Sequence, residues 1–238
     1  MVIEEVLIPE DVRRAAAAIL RLGALGVHAA LAGSVARAIQ LQRNGRGVLP
    51  RRMNDLDIVV EGFSSLPPSL ASAYLLNHVH PAATEGKILL QLIDERGALR
   101  IDIFRAFGRS LSRAVRIAAA EPLPVLAVED LRARATAMVH LHLSEDRSID
   151  PKHVLAFNEL DGLGDGQALD AAWEDHRQSV TGSFADAHQR THDLLRARTD
   201  LLVAEVYSTV IEPCERCRVV GPLRPGPPNK IVEVLGYW

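Results

Sequence analysis

The sequence predicts an α+β fold: a mixed β-sheet with flanking helices, then a helical domain, then a short proline-rich tail. Three observations carry this prediction. Short apolar runs of buried-strand type alternate with helical segments as far as about residue 125. From Val128 onward the pattern becomes almost wholly helical. From Pro213 prolines crowd the chain and break any regular period. The expected divisions are 1–125, 126–207 and 208–238.

Composition narrows the class. Of 238 residues, 48% are apolar and 24% charged, the balance of a folded globular chain rather than a disordered one. No apolar run approaches the roughly 18 residues of a spanning helix, so no membrane is expected. Met1–Glu5 lacks a charged-then-apolar leader pattern, which makes the cytoplasm the expected compartment. Two cysteines exclude a disulfide framework. A net charge of −3 excludes a global basic field, though not a local basic groove. Only Lys87, Lys152 and Lys230 break an otherwise all-arginine set of cations.

The elements follow in order. A helix is expected over Pro9–Gly26, with Pro9 at its start, Glu10 and Asp11 in its first turn, and Gly23 and Gly26 at its end. Val27–Ala32 reads as a buried strand, Gly33-Ser34 as a turn, and Val35–Gln42 as a helix. Arg43–Met53 holds two glycines, one proline and four arginines, and is expected to be a mobile basic loop. Leu56–Val60 is the second strand, and Pro67–Asn77 an expected helix. Lys87–Ile93 and Leu99–Phe104 are two further strands around an Asp94–Gly97 turn. Helices are then expected over Glu129–His142, Pro151–Leu160 and a long stretch from Gln167 to about Tyr207. The glycine-rich run Asp161–Gly166 separates the last two.

Three features stand out for chemistry. Gly33-Ser34 joins a strand to a helix, Asp55-Leu56-Asp57 opens a strand, and Asp102 lies within a later strand. Residues two apart on a strand share a face, so Asp55 and Asp57 present adjacent carboxylates. A third carboxylate on a neighbouring strand makes a cluster that requires a cation. Hard oxygen donors of this kind suit Mg²⁺ together with phosphate oxygens. Glycine at the turn lets a phosphate approach the backbone, and the following helix start presents N–H groups to it. Arg37 sits one turn further on. Asp-x-Asp alone is also common on solvated strand edges, and Gly-Ser is often only a cap.

Leu31–Arg37 followed by Asn54–Val60, with Asp102 in third place, resembles the signature of the DNA polymerase β-type nucleotidyltransferase superfamily. The interval between Ser34 and Asp55 is longer than the usual pattern. Downstream, Leu126–Leu131, Arg147 and Asp150–Leu155 resemble the helical half of AbiEii-type toxins and minimal nucleotidyltransferases. His153 stands where that pattern has an acidic residue, and Arg132 and Arg134 lie near the place of its helix lysine. The resemblance implies a nucleotidyltransferase-like sheet, Mg²⁺ held by Asp55, Asp57 and Asp102, and an NTP bound by Gly33, Ser34, Arg37 and Lys152. It further implies transfer of an NMP to a hydroxyl. The acceptor stays open between tRNA, a small molecule and a protein hydroxyl. The arginines of the Arg43–Met53 loop suit a phosphate backbone. The alternative is a non-catalytic nucleotide- or protein-binding module of the same fold, such as a toxin–antitoxin or regulatory component with a protein partner.

The tail adds a possible second metal. Cys214 and Cys217 form a Cys-x-x-Cys step, and His188 and His192 share a helical face. Together they make a donor set for structural Zn²⁺, with His176 and His28 as competing ligands. Two ordinary cysteines in a turn remain the alternative.

Overall fold

The computed structural model describes residues 2–80, 89–94, 99–117 and 122–204. These residues form two compact units, one built from Met1–Ala106 and Leu111–Leu126, the other from Phe107–Ser110 and Ala127–Thr209. The fold is mixed α+β. Among the described residues no helix is long and apolar enough to cross a membrane.

In the first unit, α1 (Pro9–Ala24) follows a short 3₁₀ turn and buries Ala15, Ala18, Ile19 and Leu22 along one stripe. Asp11 in its first turn is buried and useful elsewhere. Its carboxylate accepts from the Met53 backbone N–H at 2.8 Å and from Arg14 at 2.9 Å. Strand β1 (Ala29–Leu31) leads directly into α2 (Gly33–Arg43), and β2 (Asp55–Val60) returns antiparallel to β1. The expected mobile loop between α2 and β2 is tethered. Leu7 and Arg51 form a β-bridge, Met53 is buried, and the Val48 N–H donates to the Gln42 side chain at 3.0 Å.

The expected helix over Pro67–Asn77 is corrected. Only α3 (Leu70–Ala73) is helical; Tyr74 is extended, and β3 (Leu75–His80) pairs antiparallel with β4 (Leu89–Asp94). Leucine-rich sequence suits a helix locally, and the sheet's ladder overrides that preference. Strand β5 (Leu99–Arg105) lies between β4 and β2, antiparallel to the first and parallel to the second. The sheet order is β1-β2-β5-β4-β3. Alternation on the central strands is regular. Leu56, Ile58, Leu90, Leu92, Leu99, Ile101 and Ile103 fill one face, all at most 1% exposed. Asp55, Asp57, Gln91, Arg100 and Asp102 occupy the other, as the register requires. The buried Gln40 side chain donates to the Leu126 carbonyl at 2.7 Å, fixing α2 against the end of this unit.

The short α4 (Ser110–Arg113) comes before the second unit's main helices in the chain. In the second unit three helices pack on α5 (Val128–Ser144): α6 (Pro151–Glu159), α7 (Gly166–His176) and α8 (Phe184–Ala197). Asp150, Asp165 and Ser183 cap α6, α7 and α8 through backbone N–H bonds. The long helix expected from Gln167 is therefore two helices. Gln178 and Gly182 take positive φ, and Ser183 starts a new helix there. Trp173 donates to the Gly182 carbonyl at 2.9 Å and meets the Phe184 ring edge-on, in a core with Ala133, Ala137, Leu169 and Ala172. His176 and Asp130 form a buried pair at 2.9 Å in the same layer. The proline-rich tail lies outside the described residues.

Truncating either core should be costly. Ile103→Ala and Trp173→Ala should each lose about 3–5 kcal/mol in urea unfolding, because both residues are almost fully enclosed.

Candidate functional site

Register alone assembles the carboxylates. Asp57 lies opposite Asp102, and Asp55 opposite Arg100, on the parallel pair β2 and β5. Asp102 also lies opposite Gln91 on β4. Because paired residues share a face, Asp55, Asp57, Arg100, Asp102 and Gln91 form one polar patch on the sheet. The three aspartates expected from sequence are thus brought together. The strand holding Asp102 is the fifth, because β3 adds an element that the sequence pattern does not display.

The Gly33-Ser34 turn abuts Asp57. The Ala32 N–H donates to the Asp57 carbonyl at 2.9 Å. The Ser34 backbone N–H donates to the Asp57 carboxylate. Helix α2 has no side-chain cap at Ala32, so this carboxylate takes the place of one. Gly33 has φ +57°, and a Cβ there would stand 1.8 Å from Asp57 Oδ2. Both the left-handed backbone and the proximity of a carboxylate demand glycine at this position. Gly33 itself is exposed and Ser34 half-buried, so the helix start opens to solvent. Arg37 follows one turn on, half-buried.

Electrostatics set the chemistry. Burial pushes the Asp57 carboxyl up from its ordinary 3.8 to about 7, and the charges of Asp55 and Asp102 push the same way. The Arg100 guanidinium and the Ser34 N–H oppose this. Burial likewise raises Asp102 to about 6, against Arg100 and a 3.3 Å hydrogen bond from Gln91. Asp57 keeps some surface open to solvent, while Asp102 is only 6% exposed. Arg100 answers part of this charge. It donates to Asp55, and its Nε lies 3.1 Å from Asp102 Oδ1, close enough for an ion pair but without hydrogen-bond alignment. Burial opposes the Arg100 charge, and the carboxylates more than restore it.

One guanidinium does not balance three carboxylates, and burial raises the Asp57 and Asp102 carboxyls further. The donor set is all carboxylate oxygen, on one face, beside the start of α2. That combination fits a hard divalent cation with phosphate oxygens completing its shell. Arg100 and Gln91 are the contributors that sequence spacing missed. Each differs from an ordinary strand residue only in sharing a face with Asp102, which appears once pairing is known.

Lys152 belongs to the second unit, in the first turn of α6, with its backbone N–H on Asp150 at 2.8 Å. Beside it His153 is neutral, because burial lowers its pKa to about 4 and the Lys152, His142 and Arg134 charges add to that. His188 and His192 lie together on α8, and the residue that joins them is Asp161. Cys214 and Cys217 lie outside the described residues.

Two outcomes follow. Gly33→Ala should destabilise the fold by more than about 2 kcal/mol, through φ and the clash with Asp57. Gly26→Ala, at φ +76° with nothing within 4 Å, should lose only about 1 kcal/mol, and chemical denaturation compares the two. The second outcome concerns pH. With folded-state values above 3.8, the native protein holds protons more tightly than the unfolded chain. The resulting stability is full below about pH 4 and is lost as pH rises through about 6 and about 7. In chelator, melting temperature should carry this decline, and Asp57→Asn should flatten it. A wild-type profile equal to that of Asp57→Asn contradicts the assigned environment.

No protein-family model matches this sequence, and no curated protein matches it. The functional reading therefore rests on the residues and their geometry.

Proposed function

We propose that the chain is a Mg²⁺-dependent nucleotidyltransferase that moves an NMP from an NTP to an acceptor hydroxyl. The observation carrying this reading is the register pair Asp57–Asp102, with Asp55 on the same face and the Gly33-Ser34 helix start against Asp57. Asp55, Asp57 and Asp102 are the residues that would hold Mg²⁺. When bound, the ion supplies charge neutralisation for the triphosphate and for the departing pyrophosphate.

The remaining work falls to the chain. The Gly33 turn lets phosphate oxygens approach the backbone, with the start of α2 favouring negative charge there. Arg37 is assigned to the same phosphates. Asp102 is assigned as the base that faces the acceptor hydroxyl. The acceptor oxygen attacks the α-phosphorus, its proton passes to the Asp102 carboxylate, and the bond between the α-phosphorus and its bridging oxygen breaks to release pyrophosphate. Arg100 opposes the effect of burial on Asp57 and Asp102. Lys152 enters this reading through the sequence resemblance, as a point charge for the phosphates.

A second reading has an observation of its own. Arg100 already pairs with Asp55 and Asp102, as in a patch that binds without turnover. Under that reading the chain is a nucleotide- or protein-binding module, such as a toxin–antitoxin component.

The test uses purified protein, Mg²⁺ and each NTP radiolabelled at the α-phosphate, with total tRNA and lysate as acceptors. Wild type should transfer label, and Asp55→Ala/Asp57→Ala should lower transfer by at least about 100-fold. Nucleotide binding without transfer from any NTP favours the module.

A further inference from the structure

The second unit carries a separate group of metal donors. His188 and His192 stand one turn apart on α8, and Asp161 follows the end of α6. One ligand atom from each lies within 4.8 Å of the other two. His188 Nε2 is 2.9 Å from Asp161 Oδ1, and His192 Nε2 is 3.9 Å from Asp161 Oδ2. Donors around one tetrahedral ion with bonds near 2.0–2.1 Å stand roughly 3.3 Å apart, so small side-chain rotations suffice.

We propose that Asp161, His188 and His192 form a site for a divalent transition metal, with zinc as the ion in the first instance. This site is distinct from the carboxylate patch of the first unit and independent of the function proposed for it.

The surroundings orient all three donors. The Phe157 ring of α6 lies 4.8 Å from each imidazole, and Phe184 stacks on His188 at 5.3 Å. The two imidazoles meet edge to face. The other nitrogen of His188, Nδ1, faces Thr136 Oγ1 of α5 at 3.5 Å, where the hydroxyl can accept a hydrogen bond from Nδ1–H once Nε2 turns to a metal. Arg132 binds Asp161 Oδ1 at 2.9 Å and the Leu163 carbonyl at 2.8 Å, which holds the carboxylate in place. Asp161 Oδ2 points toward His192.

Two imidazoles and one carboxylate favour zinc, cobalt or nickel over Mg²⁺, which prefers oxygen throughout. His192 also borders an open cleft lined by Val154, Asn158 and Leu202, so ions and water reach it from solvent. Three protein donors leave a fourth position for water, or for a ligand of other origin. Bound metal would fasten the turn after α6 to α8.

Cobalt is the probe. Full-length protein in the Asp55→Ala/Asp57→Ala background, stripped with chelator, is titrated with Co²⁺ and then with Zn²⁺ as competitor. That background removes cobalt binding at the carboxylate patch, so failure there and failure here are distinguishable. One equivalent of Co²⁺ should bind, with visible d–d absorption and no thiolate charge-transfer band. Asp161→Asn and His192→Gln should each weaken binding by about 100-fold or more, at unchanged circular dichroism. Cys214→Ser/Cys217→Ser should bind as the background does. Absence of stoichiometric binding overturns the proposal. So does an affinity indifferent to Asp161→Asn, or a thiolate band that disappears with the cysteines. If Asp161→Asn unfolds the chain, His192→Gln, on a partly exposed side chain, decides alone.

Discussion

Like charges brought to one face of a sheet repel, and much of the first unit is arranged around that repulsion. Asp57 and Asp102 face each other across a parallel pair, and Asp55 shares their side. A sheet with its other face filled by Leu56, Ile58, Ile101 and Ile103 cannot slip register to separate them. Slippage by one residue would bury the carboxylates and expose the aliphatics. The apolar face thus holds an unfavourable polar face in place. Arg100, the Gln91 amide and the Ser34 N–H relieve the strain in part. Burial first, and the neighbouring charges after it, hold the Asp57 and Asp102 carboxyls above their ordinary pKa. A divalent cation is the natural complement.

Gly33 depends on the same constraint. Its missing side chain admits the Asp57 carboxylate, and its positive φ turns β1 into α2 with the helix start aimed at that carboxylate. Glycine here serves backbone geometry and site chemistry together. The second unit handles its polar groups differently. The buried Asp130 meets His176, Asp161 meets His188 and Arg132, and His153 is kept neutral by its surroundings. Asp130 and Asp161 are thus paired within the unit, and Asp161 also reaches toward His192.

Much of the carboxylate patch was legible in the sequence, because two-residue periodicity on a strand is a strict geometric rule. Asp-x-Asp needs only the strand assignment to place both groups on one face. Asp102 required one more assumption, a neighbouring strand of matching sense, which β5 meets. Arg100 and Gln91 were not legible. Their importance comes from pairing across strands, and local sequence does not record pairing. Strand β3 was hidden for a related reason, since its leucines suit a helix until β4 offers hydrogen bonds. The long second-unit helix concealed a break at Gly182-Ser183, although Gly followed by Ser is a stop-and-start signal. Of the four donors expected for zinc, the two histidines do stand together, but their described partner is Asp161. That residue sits in a glycine-rich turn that reads from sequence as a plain linker.

The central claim is that the Asp55–Asp57–Asp102 patch is a divalent-cation site. Calorimetric titration with Mn²⁺ in buffers of different protonation enthalpy, near pH 7, tests it most directly. The account predicts binding that releases protons, since Asp57 is partly protonated at that pH, and predicts that Asp57→Asn abolishes both the binding and the release. Wild-type protein that takes up no Mn²⁺ with or without NTP, or binds it with no proton release, would contradict the account.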